Sequence, residues 1–182
     1  MPKERVGEQV YVFLSDSYAQ VTAAVVLTDR GSVVVDSLLF PSEAREVESF
    51  ATRGGKPVSY VINTHGHLDH VACNYLYPES DIIAHAGVRK AMEGELRTAL
   101  AEAARSIGEL REVRLRPPTI TATAEVVVRH GGLTLRLIPL PGHSHDAFGV
   151  YVEEERILVA GDAMLPVPHF VGGDPDALLR SF

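Results

Sequence analysis

Cysteine is almost missing: Cys73 stands alone among 182 residues. That excludes an internal disulfide and suits a reducing compartment. It also excludes a structural zinc site of the Cys-rich kind, which needs several thiolates. No stretch approaches the roughly 18 apolar residues that a membrane-spanning helix requires, and the first ten residues, MPKERVGEQV, lack the apolar centre of a signal peptide. A cytoplasmic protein without a membrane partner is expected. Basic clusters are absent too. The 17 Lys and Arg are scattered against 24 Asp and Glu, for a formal charge of −7, so no electrostatic footprint for nucleic acid stands out. There is no repeat at a solenoid period, no low-complexity tract and no dividing linker, and one domain over residues 1–182 is expected.

What is present is an ordinary globular composition, 46% apolar and 23% charged. A chain of this size removes roughly 70% of its unfolded surface from water, so a metal is not needed as a staple and would be catalytic. From Val10 to Asp36 the β-branched runs VYVFL, VTAAVVLT and SVVVDS predict three strands, broken at Ser15–Ser17 and Asp29-Arg30-Gly31. Pro41-Ser42-Glu43 opens an amphipathic helix to about Thr52 with Ser42 as its cap, and Gly54-Gly55 stops it. A strand over Val58–Asn63 runs into THGHLDH. VACNYLY reads as a helix, DIIAH as a strand, and Gly87–Val113 as one long helix ending before Pro117-Pro118. EVVVRH and LTLRLIPL read as a hairpin through Gly131-Gly132, and VYVEEERILVAGD as two strands joined at Glu153–Glu155. Asp174-Pro175 starts a further helix. Strands in clusters between helices imply an α/β layered architecture with sheets inside and helices outside.

Three segments carry chemistry. His65-Gly66-His67-Leu68-Asp69-His70 places four potential ligands in six residues where a strand gives way to a loop. In an extended segment alternate residues share a side, so His65, His67 and Asp69 are expected to converge while His70 turns to a neighbouring volume. Imidazole and carboxylate suit zinc, and also iron or manganese. Pro139-Leu-Pro-Gly-His143-Ser-His-Asp146 presents a histidine after a second strand, and Ala160-Gly161-Asp162 delivers a carboxylate at the end of a third. Each segment caps a different strand, which is how a fold gathers distant residues into one centre.

In order and spacing THGHLDH, PGHSHD and AGD resemble the ligand motifs of the metallo-β-lactamase superfamily, over essentially the whole chain. The resemblance implies a four-layer αββα sandwich with metals at the rim between two sheets. It implies His65, His67 and His143 as ligands of one metal, Asp69 and His70 as ligands of a second, and Asp162 as the bridging carboxylate, whose two oxygens can serve cations roughly 3.5–4 Å apart. Two such ions, most simply Zn2+, lower the pKa of a shared water and supply a hydroxide able to attack an ester, thioester, lactone or related bond of a small-molecule substrate. Asp69 doubles as the catalytic group that orients the attacking oxygen and takes its proton. Asp at 162 resembles glyoxalase-II-like hydrolases, since true β-lactamases commonly carry Cys or Ser there, and His67 argues against the flavodiiron branch. The family's last metal-two histidine has no counterpart; His169 is the only histidine after Asp162. The resemblance therefore implies a sandwich lacking its last elements, which would expose apolar sheet edge and favour a homo-oligomer.

Other readings remain open at this point: a mononuclear iron oxidoreductase resembling persulfide dioxygenases, and an inactive truncated metal-binding domain. His145 and Asp146 are expected to shape the loop around His143, His85 to serve a helix start, His130 to be solvated, and Cys73 to be a small buried residue. The loop Pro117–Thr123 and the segment Met164–Phe170 with His169 are candidate rim elements.

Overall fold

The computed structural model describes residues 1–165, 167, 170 and 173–181. Two sheets face each other. The first orders seven strands as they occur in the chain: β1 (Lys3–Arg5), β2 (Val10–Leu14), β3 (Thr22–Thr28), β4 (Gly31–Val35), β5 (Val58–Ile62), β6 (Asp81–His85) and β7 (Ile120–Ala122). β1 to β4 pair antiparallel through short turns, whereas β4 to β7 pair parallel. Parallel neighbours need crossovers. These are α1 (Pro41–Ala51), then α2 (Leu68–Val71) with a 3₁₀ turn over Ala72–Leu76, then α3 (Ala86–Glu93) and α4 (Glu95–Ser106). The second sheet is antiparallel throughout, in the order β11 (Ile157–Val159), β10 (Phe148–Val152), β9 (Leu133–Pro139), β8 (Val126–His130).

Strand periodicity decides which face goes where. Val33 and Val35 of β4 point between the sheets, where they meet Ile62, Leu135, Leu137, Phe148 and Val150. Val34 points the other way and packs with Val25, Val61 and Ile82 under Ala44, Val47 and Ala51 of α1. Because both faces are covered, all five residues of β4 are buried, and the strand reads as a continuous apolar run. Each such aliphatic side chain contributes about 1.5–3 kcal/mol by leaving water. A smaller cluster of Val71, Ala84, Val88, Met92 and Leu96 fixes α3 and α4 on β6. The last helix, α5 (Pro175–Ser181), docks on the loop after β9: Ser181 Oγ donates to the carbonyl of Pro141 (2.8 Å), and the backbone N–H of Asp174 donates to that of Gly142 (2.8 Å).

Several expected elements differ in detail. The single helix over 87–113 is two helices and a 3₁₀ turn, broken at Gly94, whose backbone (φ −121°, ψ −103°) is not helical. The break lets Leu96 pack beside Met92 and lets Arg97 Nε donate to the Met92 carbonyl at 3.3 Å. Ser42 does not cap α1. Phe40 occupies that position with no side-chain bond, because Pro41 starts the helix, and the N–H of Ser42 donates to the Glu109 carboxylate instead. β1 and β7 were not expected, and the segment Pro117–Thr123, expected as a rim loop, supplies β7 at the sheet edge beside β6. Among the described residues no helix is long and apolar enough to cross a membrane.

Candidate metal centre

The carboxyl ends of β4, β5, β9 and β11 converge, and each supplies a polar group. Directly after β5 the chain runs Asn63-Thr64-His65-Gly66-His67 before α2 begins at Leu68, with His67 still extended (φ −78°, ψ 149°). His65 and His67 thus share a side as alternation requires. Asp69, in the first turn of α2 where the alternation stops, falls outside the group these two join, and its Oδ2 lies 3.8 Å from His70 Nε2.

The imidazole nitrogens of three histidines meet. His65 Nε2 lies 3.0 Å and His143 Nε2 2.9 Å from His67 Nδ1. With a carboxylate oxygen of Asp162 they form a group of four ligand atoms, all within 4.8 Å of one another. Asp162 turns its two oxygens to different partners: Oδ2 is 3.5 Å from His143 Nε2, and Oδ1 is 3.4 Å from His70 Nε2. Asp69 Oδ2 is 3.8 Å from that same nitrogen of His70. Although buried, His70 Nε2 has no hydrogen-bond partner among the described residues. A buried imidazole nitrogen facing two carboxylates without a hydrogen bond is a place for a cation.

Charge points the same way. Burial and then the neighbouring His70, His67 and His143 push His65 well below the usual imidazole range; burial and His143 push His67 down as well. Both are therefore neutral and able to ligate. His70 is held well above that range: burial opposes its charge, but Asp36, Asp162 and Asp69 outweigh it. Burial raises Asp162, and its interaction with His70, followed by the charges of His143 and His67, brings it below the usual carboxylate value. Where carboxylates crowd a buried imidazole, a proton or a metal ion must supply the positive charge.

Asp36, which the sequence did not single out, governs this arrangement. It follows β4, is 2% exposed and adopts φ 62°. Its Oδ2 accepts from His70 Nδ1 (2.8 Å) and from the Thr64 hydroxyl (2.7 Å), and its Oδ1 accepts from the Thr64 N–H (2.8 Å). Since the Thr64 hydroxyl spends its proton on Asp36, its oxygen accepts from His65 Nδ1 at 3.0 Å. His65 thereby carries its proton on Nδ1 and turns the lone pair of Nε2 toward the cluster; in His70 the Nδ1 proton is fixed on Asp36, so that loss of the second proton, the one on Nε2, leaves a lone pair facing the cluster. The backbone carbonyl of His70 is held by Ser37 N–H (2.9 Å), Ser37 Oγ (3.2 Å) and Asn63 Nδ2 (3.1 Å).

Two glycines are required here. A side chain on Gly66 would meet Asp146 Oδ2 at 2.7 Å, so this close approach lets the His143 loop clamp the His65–His67 loop, with Ser144 Oγ donating to Asp146 (2.7 Å). Gly161 (φ 53°) leaves room for Thr64, whose Oγ1 would lie 2.6 Å from an added Cβ. His85 caps α3 by accepting from the Gly87 N–H. Cys73 is fully buried, and burial pushes its thiol well up, so it is unreactive. His130 is not solvated as expected: it is half-buried, edge-on to Tyr60, and its Nε2 has no hydrogen-bond partner among the described residues. His169 lies outside the described residues.

Two facing sheets, helices on the outside and a histidine–aspartate cluster at the strand ends define a metal-binding protein of a hydrolase fold. The chain belongs to the metallo-beta-lactamase superfamily, whose family model matches residues 18–180. It is 26% identical over 159 residues to the probable metallo-hydrolase MJ0888 of Methanocaldococcus jannaschii, covering 85% of this chain and 69% of that protein. A metallo-beta-lactamase from Pontibacter korlensis shares the fold with a TM-score of 0.75 at 16% identity, over 99% of this chain and 82% of the other. The metallo-beta-lactamase family protein TTHA1429 from Thermus thermophilus does so with a TM-score of 0.72 at 22% identity, over 95% and 68%.

Proposed function

We propose that the chain is a hydrolase working with two divalent metal ions, most simply zinc with iron or manganese as substitutes, on an ester, thioester or lactone of a small molecule. One observation carries the reading: Asp162 addresses His143 with one oxygen and His70 with the other. On this reading His65, His67 and His143 hold one ion, Asp69 and His70 hold the second, and Asp162 serves both. When bound, the ions supply Lewis acidity and a water acidic enough to ionise near neutral pH.

The chain's own residues do the rest. Asp36 and Thr64 keep Nε2 of His65 and of His70 aimed inward. His65, His70 and His143, at most 2% exposed, floor the site and keep bulk water from beneath it. Asp69, whose side chain is 20% exposed, stands at the open side, where its carboxylate can take a proton from the attacking oxygen. An aspartate rather than a thiol or hydroxyl at 162 favours glyoxalase-II-like chemistry over β-lactam hydrolysis. The reading includes one domain over residues 1–182 and a cytoplasmic setting, the latter resting on the single thiol.

Elemental analysis of protein prepared without chelator, beside a His65→Ala, His67→Ala double variant, tests it. About two equivalents of metal that the variant loses, with turnover on a thioester and lactone panel, is the expected result. One equivalent of iron with oxygen consumption would replace the hydrolase by a mononuclear oxidoreductase. No metal at all would overturn the reading.

A further inference from the structure

A cleft of about 770 Å3 opens beside the cluster, between the metal-side loops and the α3–α4 pair. His67 stands in its wall, so whatever fills it lies next to the candidate ligands. Its other wall is built by α3 and the break after it: Gly87, Lys90 and Ala91 share one face of the helix at i, i+3 and i+4, and Gly94 follows at its end. Three of those four residues are Gly or Ala; Gly87 is closely packed by Asp146, His85 and His145, and beyond the break α4 lines the cleft with Glu95, Leu96 and Ala99. Lys90 is the only long side chain among those four.

Lys90 is also a cation without a carboxylate. The helical pair that could have neutralised it is taken, because Arg89 Nε binds Glu93 at 3.2 Å, and its own i+4 position is Gly94. Among the described residues no ion pair involves Lys90. Asp146, on the opposite wall, is satisfied by Ser144 at 2.7 Å. Glu95 lines the cleft beyond the break, at the amino end of α4, without pairing to Lys90. Among the described residues that line the cleft Lys90 is the one Lys or Arg, so it is the group there that can attract an anion.

We propose that this cleft recognises a substrate bearing a carboxylate remote from the scissile bond, with Lys90 as the residue that binds it. The inference rests on the metallo-hydrolase reading. Ala91, Leu96 and Ala99 accept the short apolar chain between the two ends, and the Lys90 ammonium donates to the carboxylate.

Calorimetric titration of the metal-loaded chain tests this without turnover. The dicarboxylates succinate, glutarate and adipate are compared with butyrate, pentanoate and hexanoate, so that one carboxylate goes to the metals and only the second can reach Lys90. At one chain length or more the dicarboxylate should bind about 5- to 10-fold tighter. Lys90→Gln should abolish that ratio and leave the monocarboxylates unchanged, while Lys90→Arg should keep most of it. Glu95→Gln should raise the ratio about 2- to 5-fold. Equal binding of both series by the wild-type chain, or a ratio unchanged in Lys90→Gln, would overturn carboxylate recognition, as would a ratio lost in Glu95→Gln. Metal uptake, measured first on the same samples, separates the two ideas. Its absence counts against the hydrolase reading, whereas loaded protein that treats the two series alike counts against Lys90 alone.

Discussion

Replacing Asp36 by Asn is the most informative single change, because it alters one proton's worth of chemistry and almost no volume. The carboxylate makes three bonds, two through Oδ2 and one through Oδ1, and accepts in all of them. An amide can only accept on one side. If its NH2 takes the place of Oδ2, it donates to His70 Nδ1, which must then give up its proton, and the N–H left on Nε2 points at Asp162 and Asp69 where a metal needs a lone pair. The Thr64 hydroxyl loses its acceptor in the same step, which frees the His65 tautomer. If the NH2 takes the place of Oδ1, it faces the Thr64 N–H, donor against donor.

Loss of a group that orients metal-ligating histidines costs about 10- to 100-fold in metal affinity, or about 1.4–2.7 kcal/mol. His70 contacts Asp36 directly and His65 does so through Thr64, so the equivalent of metal held by His70 should weaken more than the other. Competition titration against a chromogenic chelator reads both steps, and thermal melts of the metal-free chain read the folding cost, expected at about 1–3 kcal/mol for a buried charge-assisted pair. Two equivalents bound with wild-type affinities, and an unchanged melting temperature, would refute the tautomer argument.

Glu43, 6% exposed, accepts from Ser15 Oγ (2.6 Å) and from the N–H groups of Asp16 and Ser17. Burial raises its pKa, but these bonds outweigh it and set the folded value below the ordinary 4.5. Its contribution is therefore full above pH ~4.5 and is lost as pH falls through the folded pKa. Glu43→Gln should cost about 1–3 kcal/mol at pH 7 in urea melts, and a gap that did not close in acid would refute the assignment. Gly161→Ala forces a Cβ at φ 53° against Thr64 and displaces Asp162; it should weaken metal binding about tenfold or more by chelator competition, with an unchanged affinity counting against it. A metal ion must displace the proton that His70 holds above the usual imidazole range, so metal affinity should rise as pH climbs through and beyond that range; isothermal titrations showing a flat profile would contradict this.

What the sequence disclosed and what it hid divide along a physical line. His65, His67, His143 and Asp162 could be read directly because ligand-type side chains end strands, and the strand signals there are strong: β5 and β9 are apolar or alternating runs bounded by turns. Asp69 was misplaced in space because alternation was carried one residue too far, past the start of α2 at Leu68. The break at Gly94 was hidden because one glycine within a helical pattern is ordinarily tolerated at about 1 kcal/mol. Only the packing of Leu96 against Met92 and Val88 reveals that the chain turns. β1, with all three residues exposed, has no apolar pattern to find. Asp36 is the instructive case. Its role depends on β4 and β5 pairing parallel with Val35 opposite Ile62, which sets residue 36 beside residue 64 from 28 positions away. Nothing local announces that register. A cue was nevertheless present: in VVVDS an acid ends a strand whose every residue is buried, and a carboxylate carried into a core must find donors there. The residues that would touch metal announce themselves by type, and those that aim them are found only by asking what each buried charge is for.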